Sequence, residues 1–217
     1  MKIAVLGTGM VGDAIGSKLV ELGHSVMMGS RSAENEKAQA FVSKNNGKAK
    51  AGTFADAAAF GEIVFNCTAG AGSIDALQLA GANNLKGKII VDVSNPLDFS
   101  MGMPPSLSIV NTNSLGEEIQ KAFPDSKVVK SLNTLWCGLM VNPKMLNGGD
   151  HNIFVCGNDA DAKDAVKEVL KSFGWAESNI LDLGDITKAR GTEMYLPLWL
   201  SIYGATNNGA FNIKIIS

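Results

Sequence analysis

The sequence predicts an α/β protein: a doubly wound, mostly parallel sheet, extended by extra strands and ending in a small C-terminal helical segment. Three observations carry that expectation. Short apolar runs alternate along the chain with helical patterns, which is the signature of βαβ units. Several of those runs (IAVL, IVF, IIVDV) lack polar alternation, as strands buried on both faces require. The 217 residues suffice for one substantial α/β domain but not for a second large one. The organisation expected is therefore one α/β domain over residues 1–185 and a helical segment over 186–217.

Strands are expected at Lys2–Leu6, Ser25–Gly29, Ala49–Thr53, Ile63–Thr68, Lys88–Val93, Lys127–Leu132, Asn152–Cys156 and Ile180–Leu183. Between the first two, Val11, Ile15, Leu19 and Leu22 recur at helical spacing over Met10–Leu22. A second clear helix spans Asp159–Phe173, with Ala162, Val166, Val169, Leu170 and Phe173 on one face. Asn158 or Asp159 would cap it and Gly174 would stop it. Asn95–Asn113, rich in Pro, Gly and Ser, reads as a long irregular loop after a buried strand, a position that favours function. From about Asp185 one longer helix is expected, carrying Met194, Trp199, Leu200 and Tyr203, with Pro197 kinking it or lying near its start. Such a helix, apolar on more than one side, needs burial, in part against a second subunit.

The first strand runs into Gly7-Thr8-Gly9-Met10-Val11-Gly12, which opens the first helix. A G-x-G-x-x-G in this strand–helix context is the dinucleotide fingerprint of a Rossmann-type fold. Gly7 permits the tight turn, Gly9 lets the backbone approach a pyrophosphate, and Gly12 lets helix and strand pack closely; Gly16 would extend that close contact. Pyrophosphate would meet the exposed N–H groups at the helix N-terminus. The second strand ends in Gly29-Ser30-Arg31-Ser32. NAD sites place a carboxylate there for the ribose hydroxyls. A hydroxyl and a guanidinium instead suit the additional phosphate of NADP, with Lys37 as a second positive charge. The carboxyl ends of the fourth and fifth strands, Cys67-Thr68-Ala69-Gly70 and Ser94-Asn95-Pro96-Leu97, should line the same crevice. Thr68 and Asn95 are the expected cofactor contacts there.

No acid–base set declares itself, so no catalytic side chain is assigned. His24 reads as structural, and His151, after Gly148-Gly149-Asp150, as a solvated loop residue. No H-x-x-H, H-E-x-x-H or G-x-S-x-G occurs, which argues against zinc or serine hydrolase chemistry, and no metal is expected. Hydride transfer to a flat ring needs stacking and exclusion of water more than a proton-transfer side chain. Carbonyl reduction would call for a placed Lys, Tyr or His.

Composition narrows the partners. Nineteen basic against 21 acidic residues give a net charge of −2, no basis for nucleic acid or an anionic membrane. The longest apolar stretch, Met194–Ala205, is shorter than the roughly 20 residues of a membrane span. Cys67, Cys137 and Cys156 are widely spaced and odd in number, as reduced core thiols of a cytoplasmic protein would be. The opening MKIAVLG shows no leader pattern, in keeping with that location.

Five motifs together resemble one family: LGTGMVG (Leu6–Gly12), GSR (Gly29–Arg31), SNPL (Ser94–Leu97), VVKSLNT (Val128–Thr134) and LDLGDITKARGTE (Leu181–Glu193). The chain is similar to the NADPH-dependent deazaflavin (coenzyme F-420):NADP oxidoreductases, whose pattern the N-terminal domains of membrane ferric reductases share. The first two motifs are common among NADP proteins; the last three, in this order, are more specific. The resemblance implies hydride exchange between NADP(H) and a small-molecule ring acceptor, deazaflavin F-420 or a flavin, and a homodimer formed with help from the C-terminal helices. Carried over by position, Gly9, Met10 and Val11 would contact pyrophosphate, and Ser30 with Arg31 the 2′-phosphate. Thr68, Ala69 and Pro96 would border the nicotinamide. The acceptor would lie by the loop after Asn133, near Thr134, Trp136 and Met140. Archaeal members tend to carry histidine where this chain has Asn133. A non-catalytic NADP(H) sensor and a reductase of small carbonyls or imines are the competing readings.

Overall fold

The structure is a computed structural model that describes residues 1–216. Eight strands form one sheet: β1 (Lys2–Leu6), β2 (Ser25–Ser30), β3 (Ala49–Thr53), β4 (Ile63–Asn66), β5 (Ile89–Asp92), β8 (Lys127–Ser131), β9 (Ile153–Gly157) and β10 (Ile180–Asp182). Their order is β10-β9-β8-β5-β4-β1-β2-β3. The chain winds outward from β1 to β3, then returns to place β4 and β5 on the other side. That reversal between β1 and β4 creates the crevice at which such sheets bind ligands. Every neighbouring pair is parallel except β8 with β9, where Val129 faces Gly157 in antiparallel register. β9 and β10 therefore run against the rest of the sheet.

A two-stranded hairpin, β6 (Leu97–Asp98) with β7 (Ser106–Leu107), sits inside the segment that the sequence left irregular. The helices are α1 (Met10–Glu21), α2 (Glu36–Lys44), α3 (Phe54–Phe60), α4 (Ser73–Ala80), α5 (Ala82–Leu85), α6 (Leu115–Ala122), α7 (Cys137–Val141), α8 (Ala160–Ser172), α9 (Ala189–Met194) and α10 (Leu196–Thr206). They cover both faces of the sheet, which explains why the central strands have no polar face. One core layer brings Ile15 and Leu19 of α1, Phe41 of α2 and Val166 of α8 against Ile3, Val5 and Val129. The other packs Ala57 of α3, Leu77 of α4 and Ile119 of α6 on Ala4, Val64 and Ile90.

Local signals account for the helix ends. Asp159 caps α8 by accepting from the Ala162 N–H at 2.8 Å, and Gly174 follows at φ 105°. Pro197 lies in the first turn of α10, where its missing N–H costs nothing, so the expected single helix is divided into α9 and α10. Gly16 faces a different neighbour from the one expected. A Cβ there would lie 2.9 Å from the Phe41 ring, so the close approach is to α2 and not to the strand.

His151 is the clear departure from the sequence reading. It is buried, its Nε2 is 2.9 Å from the Pro143 carbonyl and its Nδ1 is 2.8 Å from the Asn212 amide. Its ring meets Trp175 edge-on at 4.9 Å. Asn212 belongs to the C-terminal tail, which returns along β9: the Asn152 N–H donates to the Ile213 carbonyl and the Ile215 N–H to Asn152 Oδ1. A solvated loop was expected because the tail that covers it lies some sixty residues further on. Among the described residues no helix is long and apolar enough to cross a membrane.

Candidate functional site

Three adjoining hollows follow the carboxyl edge of β1, β2, β4 and β5, and all three share Thr68 and Ala69. The central one, about 560 Å³, is bounded by Gly7, Gly9, Ser30, Arg31, Asn35 and Thr68. One flank, about 360 Å³, runs from Arg31 past Phe54 to Asp75 and Leu79. The other, about 270 Å³, lies between Val11, Ala71, Ser94, Asn95 and Phe99.

The glycine turn is built as its spacing demands. Gly7 sits at φ +113°, and a Cβ on it would come within 2.6 Å of the Cys67 carbonyl oxygen. A Cβ on Gly12 would lie 2.0 Å from the Gly7 carbonyl oxygen, so α1 crosses the turn at backbone contact. Gly9 differs: a Cβ there meets nothing within 4 Å. The protein itself sets no steric demand at Gly9, and the space is open crevice. Gly9 is also the N-cap of α1 and supplies no side-chain cap, so the first N–H groups of the helix face that space unpartnered. Thr8 lines the same hollow, while Met10 is exposed at the helix start and Val11 borders the next hollow.

At the end of β2, Arg31 is exposed and pairs with no carboxylate among the described residues. Ser30 is buried, and its hydroxyl donates to the Ser32 carbonyl at 2.5 Å. Its proton is thus committed to the turn, so Ser30 shapes the loop and offers only a lone pair outward. Ser32, which the sequence reading passed over, lines the crevice; its hydroxyl donates to Glu34 at 2.7 Å. That bond holds the Glu34 carboxyl below its usual pKa. Asn35 caps α2. Lys37, expected as the second positive charge, is exposed on the first turn of α2 and does not line any of the three hollows.

Thr68 donates to Asn66 Oδ1 at 2.7 Å, and the Asn66 amide donates to Asp92 Oδ1 at 2.9 Å. Asn95 and Asn133 clasp each other: the Asn95 amide donates to the Asn133 carbonyl at 2.8 Å, and the Asn133 amide to Asn95 Oδ1 at 2.9 Å. Both amides are largely spent within the protein, so Asn95 acts as a brace of the crevice wall. Pro96, the residue before β6, is buried, its carbonyl accepting from the Ser108 N–H at 2.8 Å.

The expected acceptor residues separate into two groups. Trp136 is 39% exposed, and Thr134 is buried with its Oγ1 unpartnered among the described residues. Thr134 opens on a further hollow of about 240 Å³ bounded by Phe154, Leu183, Thr192, Tyr195 and Ile213. Asn133 and Met140 are buried as Thr134 is, but are taken up within the protein: Asn133 is held by Asn95, and Met140 belongs to the core, its carbonyl accepting from the Trp175 indole at 3.0 Å. The short helix α7 turns Met140 inward, a rotation that the sequence pattern did not fix.

The largest feature missed by sequence reasoning is a buried chain of charges behind the crevice. Lys130 of β8 is fully buried, with Nζ 2.7 Å from Asp92 Oδ2 and 2.7 Å from Glu193 Oε1; both carboxylates are also buried. Burial alone would lower the Lys130 pKa, but the charges of Asp92 and Glu193 outweigh it and hold the ammonium above its ordinary value. Glu193 in turn accepts from the Leu115 and Gly116 N–H groups at 2.8 and 3.0 Å, tying α9 to the N-terminus of α6. Replacing Glu193 by glutamine leaves a single amide oxygen for the three donors the carboxylate serves, Lys130 and the Leu115 and Gly116 N–H groups. The expected cost is about 1–3 kcal/mol in chemical denaturation, read from the midpoint at constant slope.

The thiols are inert by their surroundings. Burial, with Asp92 nearby, pushes the Cys67 thiol up, and burial pushes Cys156 up to about 12. No cluster of His, Cys, Asp or Glu among the described residues could hold a metal ion.

A glycine turn at the N-terminus of α1, an open crevice at the reversal point of a doubly wound sheet and an unpaired arginine after β2 define a dinucleotide-binding oxidoreductase fold. The family model "NADP oxidoreductase coenzyme F420-dependent" matches residues 2–96. A crystal structure of a candidate F420-dependent NADP-reductase from Arthrobacter sp. FB24 is 51% identical over the whole of both chains, with a TM-score of 0.95. The F420-dependent NADP reductase of Methanocaldococcus jannaschii is 28% identical over 93% of this chain and 92% of its own length. Metalloreductase STEAP3 of Rattus norvegicus is 29% identical over 91% of this chain, which spans only 38% of that protein. The chain belongs to the coenzyme F420-dependent NADP oxidoreductase family and is an NADP-dependent oxidoreductase.

Proposed function

We propose that the protein transfers hydride between NADP(H), laid along the carboxyl-edge crevice, and a flat ring acceptor, a deazaflavin such as F-420 or a flavin. The observation that carries this reading is the crevice itself: open helix N–H groups at Gly9–Val11 and a guanidinium at Arg31 without a partner of its own. In this reading pyrophosphate rests on the turn Gly7–Val11 and the 2′-phosphate takes Arg31. Ser30 shapes that turn, and Lys37 acts only as a distant charge. The adenine fits the flank beyond Arg31, and Thr68, Ala69 and Pro96 border the nicotinamide. Trp136 and the free hydroxyl of Thr134 serve the acceptor side, while Asn95, Asn133 and Met140 support the walls from behind.

These residues bind, orient and exclude water, and no side chain is needed to move a proton in the hydride step. Mixing the protein with NADPH and a panel of F-420, FMN and FAD should bleach the reduced-nicotinamide absorbance with at least one of them. No loss with any acceptor would overturn the ring-acceptor reading.

We also propose that the C-terminal segment 186–217 is a packing element that seats a second copy of the chain. α10 is apolar on all sides, yet only Leu196 on it is buried, and Leu198 and Tyr203 are exposed. Sedimentation should give a dimer, and Leu198→Glu should produce monomers. A wild-type monomer at micromolar concentration would remove this assignment.

A further inference from the structure

We propose that Lys130 is a positioning residue for the nicotinamide end of the crevice, acting through the Ser94 carbonyl; the proposal rests on the reading that this end holds the nicotinamide. An ammonium has three protons. In Lys130 they point to Asp92 Oδ2 at 2.7 Å, Glu193 Oε1 at 2.7 Å and the Ser94 carbonyl at 2.6 Å. With no proton left over and no exposure, Lys130 cannot reach a ligand as an acid. Ser94 is the second residue past β5, and it lines the hollow with Asn95 and Thr68.

Stability does not explain this arrangement. Three buried charges cost more to desolvate than an apolar trio of the same volume, and such clusters are commonly replaced by packed apolar residues without loss. What the charges supply is direction. Asp92 Oδ1 receives the Ser94 hydroxyl at 2.6 Å and the Asn66 amide at 2.9 Å, and Asn66 holds Thr68. One ammonium and one carboxylate thus fix both walls of the hollow, Thr68 just past β4 and Ser94 just past β5. Glu193 adds a second carboxylate whose charge the α6 N-terminus offsets.

The test compares variants of the full chain for NADPH affinity by calorimetry and for the emission of bound reduced nicotinamide. Lys130→Met with Asp92→Asn preserves the net charge of the cluster and its packing but leaves the Ser94 carbonyl unheld. The affinity should stay within about threefold, because the phosphates dominate it. The emission gain of the bound ring should fall by at least about half, and hydride transfer should slow by at least about tenfold. Lys130→Gln with Asp92→Asn, whose amide donor stops one bond short of the Ser94 carbonyl, should show a smaller loss of both, between wild type and the methionine pair. It also carries the test if the methionine pair does not fold: wild-type emission in the glutamine pair would then overturn the proposal. Wild-type emission and transfer rate in a folded methionine pair would overturn the positioning role alone. A wild-type protein that does not bind NADPH would overturn the cofactor reading together with it.

Discussion

Exchanging Arg31 for aspartate lowers NADPH affinity by about tenfold to a hundredfold and brings NADH binding level with it or above it. The guanidinium is exposed, unpaired and at the junction of two hollows, so its loss disturbs nothing inside the protein. A charge-assisted hydrogen bond is worth about 1.5–3 kcal/mol, which converts to that range of affinity. The introduced carboxylate would add repulsion toward a 2′-phosphate and could accept from ribose hydroxyls, as acidic residues do at this position in NAD sites. Paired titrations with NADPH and NADH check the outcome. An unchanged ratio of the two affinities would show that Arg31 does not read the phosphate.

The second large effect is expected at Gly12. Its Cβ position lies 2.0 Å from the Gly7 carbonyl oxygen and 3.0 Å from its carbon, both backbone atoms of the turn. Gly7 has little room to yield, because it is held at φ +113° with its N–H donating to the Gly29 carbonyl at 3.0 Å. Overpacking against side chains costs about 1–3 kcal/mol; here the obstacle is backbone, so Gly12→Ala should reach or exceed the upper figure. NADPH binding should disappear even where folding survives, because the helix must lift off the turn that would receive the pyrophosphate. Gly9→Ala is the informative control. Its methyl enters empty crevice, so the melting temperature should hold while NADPH binding weakens. A Gly9→Ala variant that binds NADPH as wild type does would remove the pyrophosphate from this turn.

Much of the fold was legible because parallel strands buried on both faces leave an unmistakable apolar run, and all eight sheet strands were expected within two residues of their ends. The hairpin β6–β7 escaped because two-residue strands have no periodicity to detect. The reversed direction of β9 escaped because direction depends on connections, and the run IFVCG reads the same either way. In the site, the glycine turn and Arg31 were visible because backbone geometry and charge sign are local properties. Asn133 and Met140 were placed on the ligand side by position alone, and partners thirty to forty residues away hold them buried, while Asn95 stays on the hollow with its amide engaged by Asn133.

Lys130 could have been found. A lysine within VVKS and an aspartate within IIVDV are opposite charges in strands otherwise too apolar to face water, and such residues are almost never fully buried unless paired. Glu193, 63 positions beyond Lys130, gave no such hint. The cluster also shows how the C-terminal helices, which lie outside the stretch matched by the family model, take part in the crevice: Glu193 on α9 braces the lysine that braces Ser94.

The most direct measurement is calorimetric titration of the wild-type chain with NADPH and NADH side by side. One site per chain, with NADPH bound at least about tenfold more tightly than NADH, is the expected result. Equal affinities, or no heat from either nucleotide, would contradict the placement of a 2′-phosphate on Arg31 and everything assigned to the crevice beyond it.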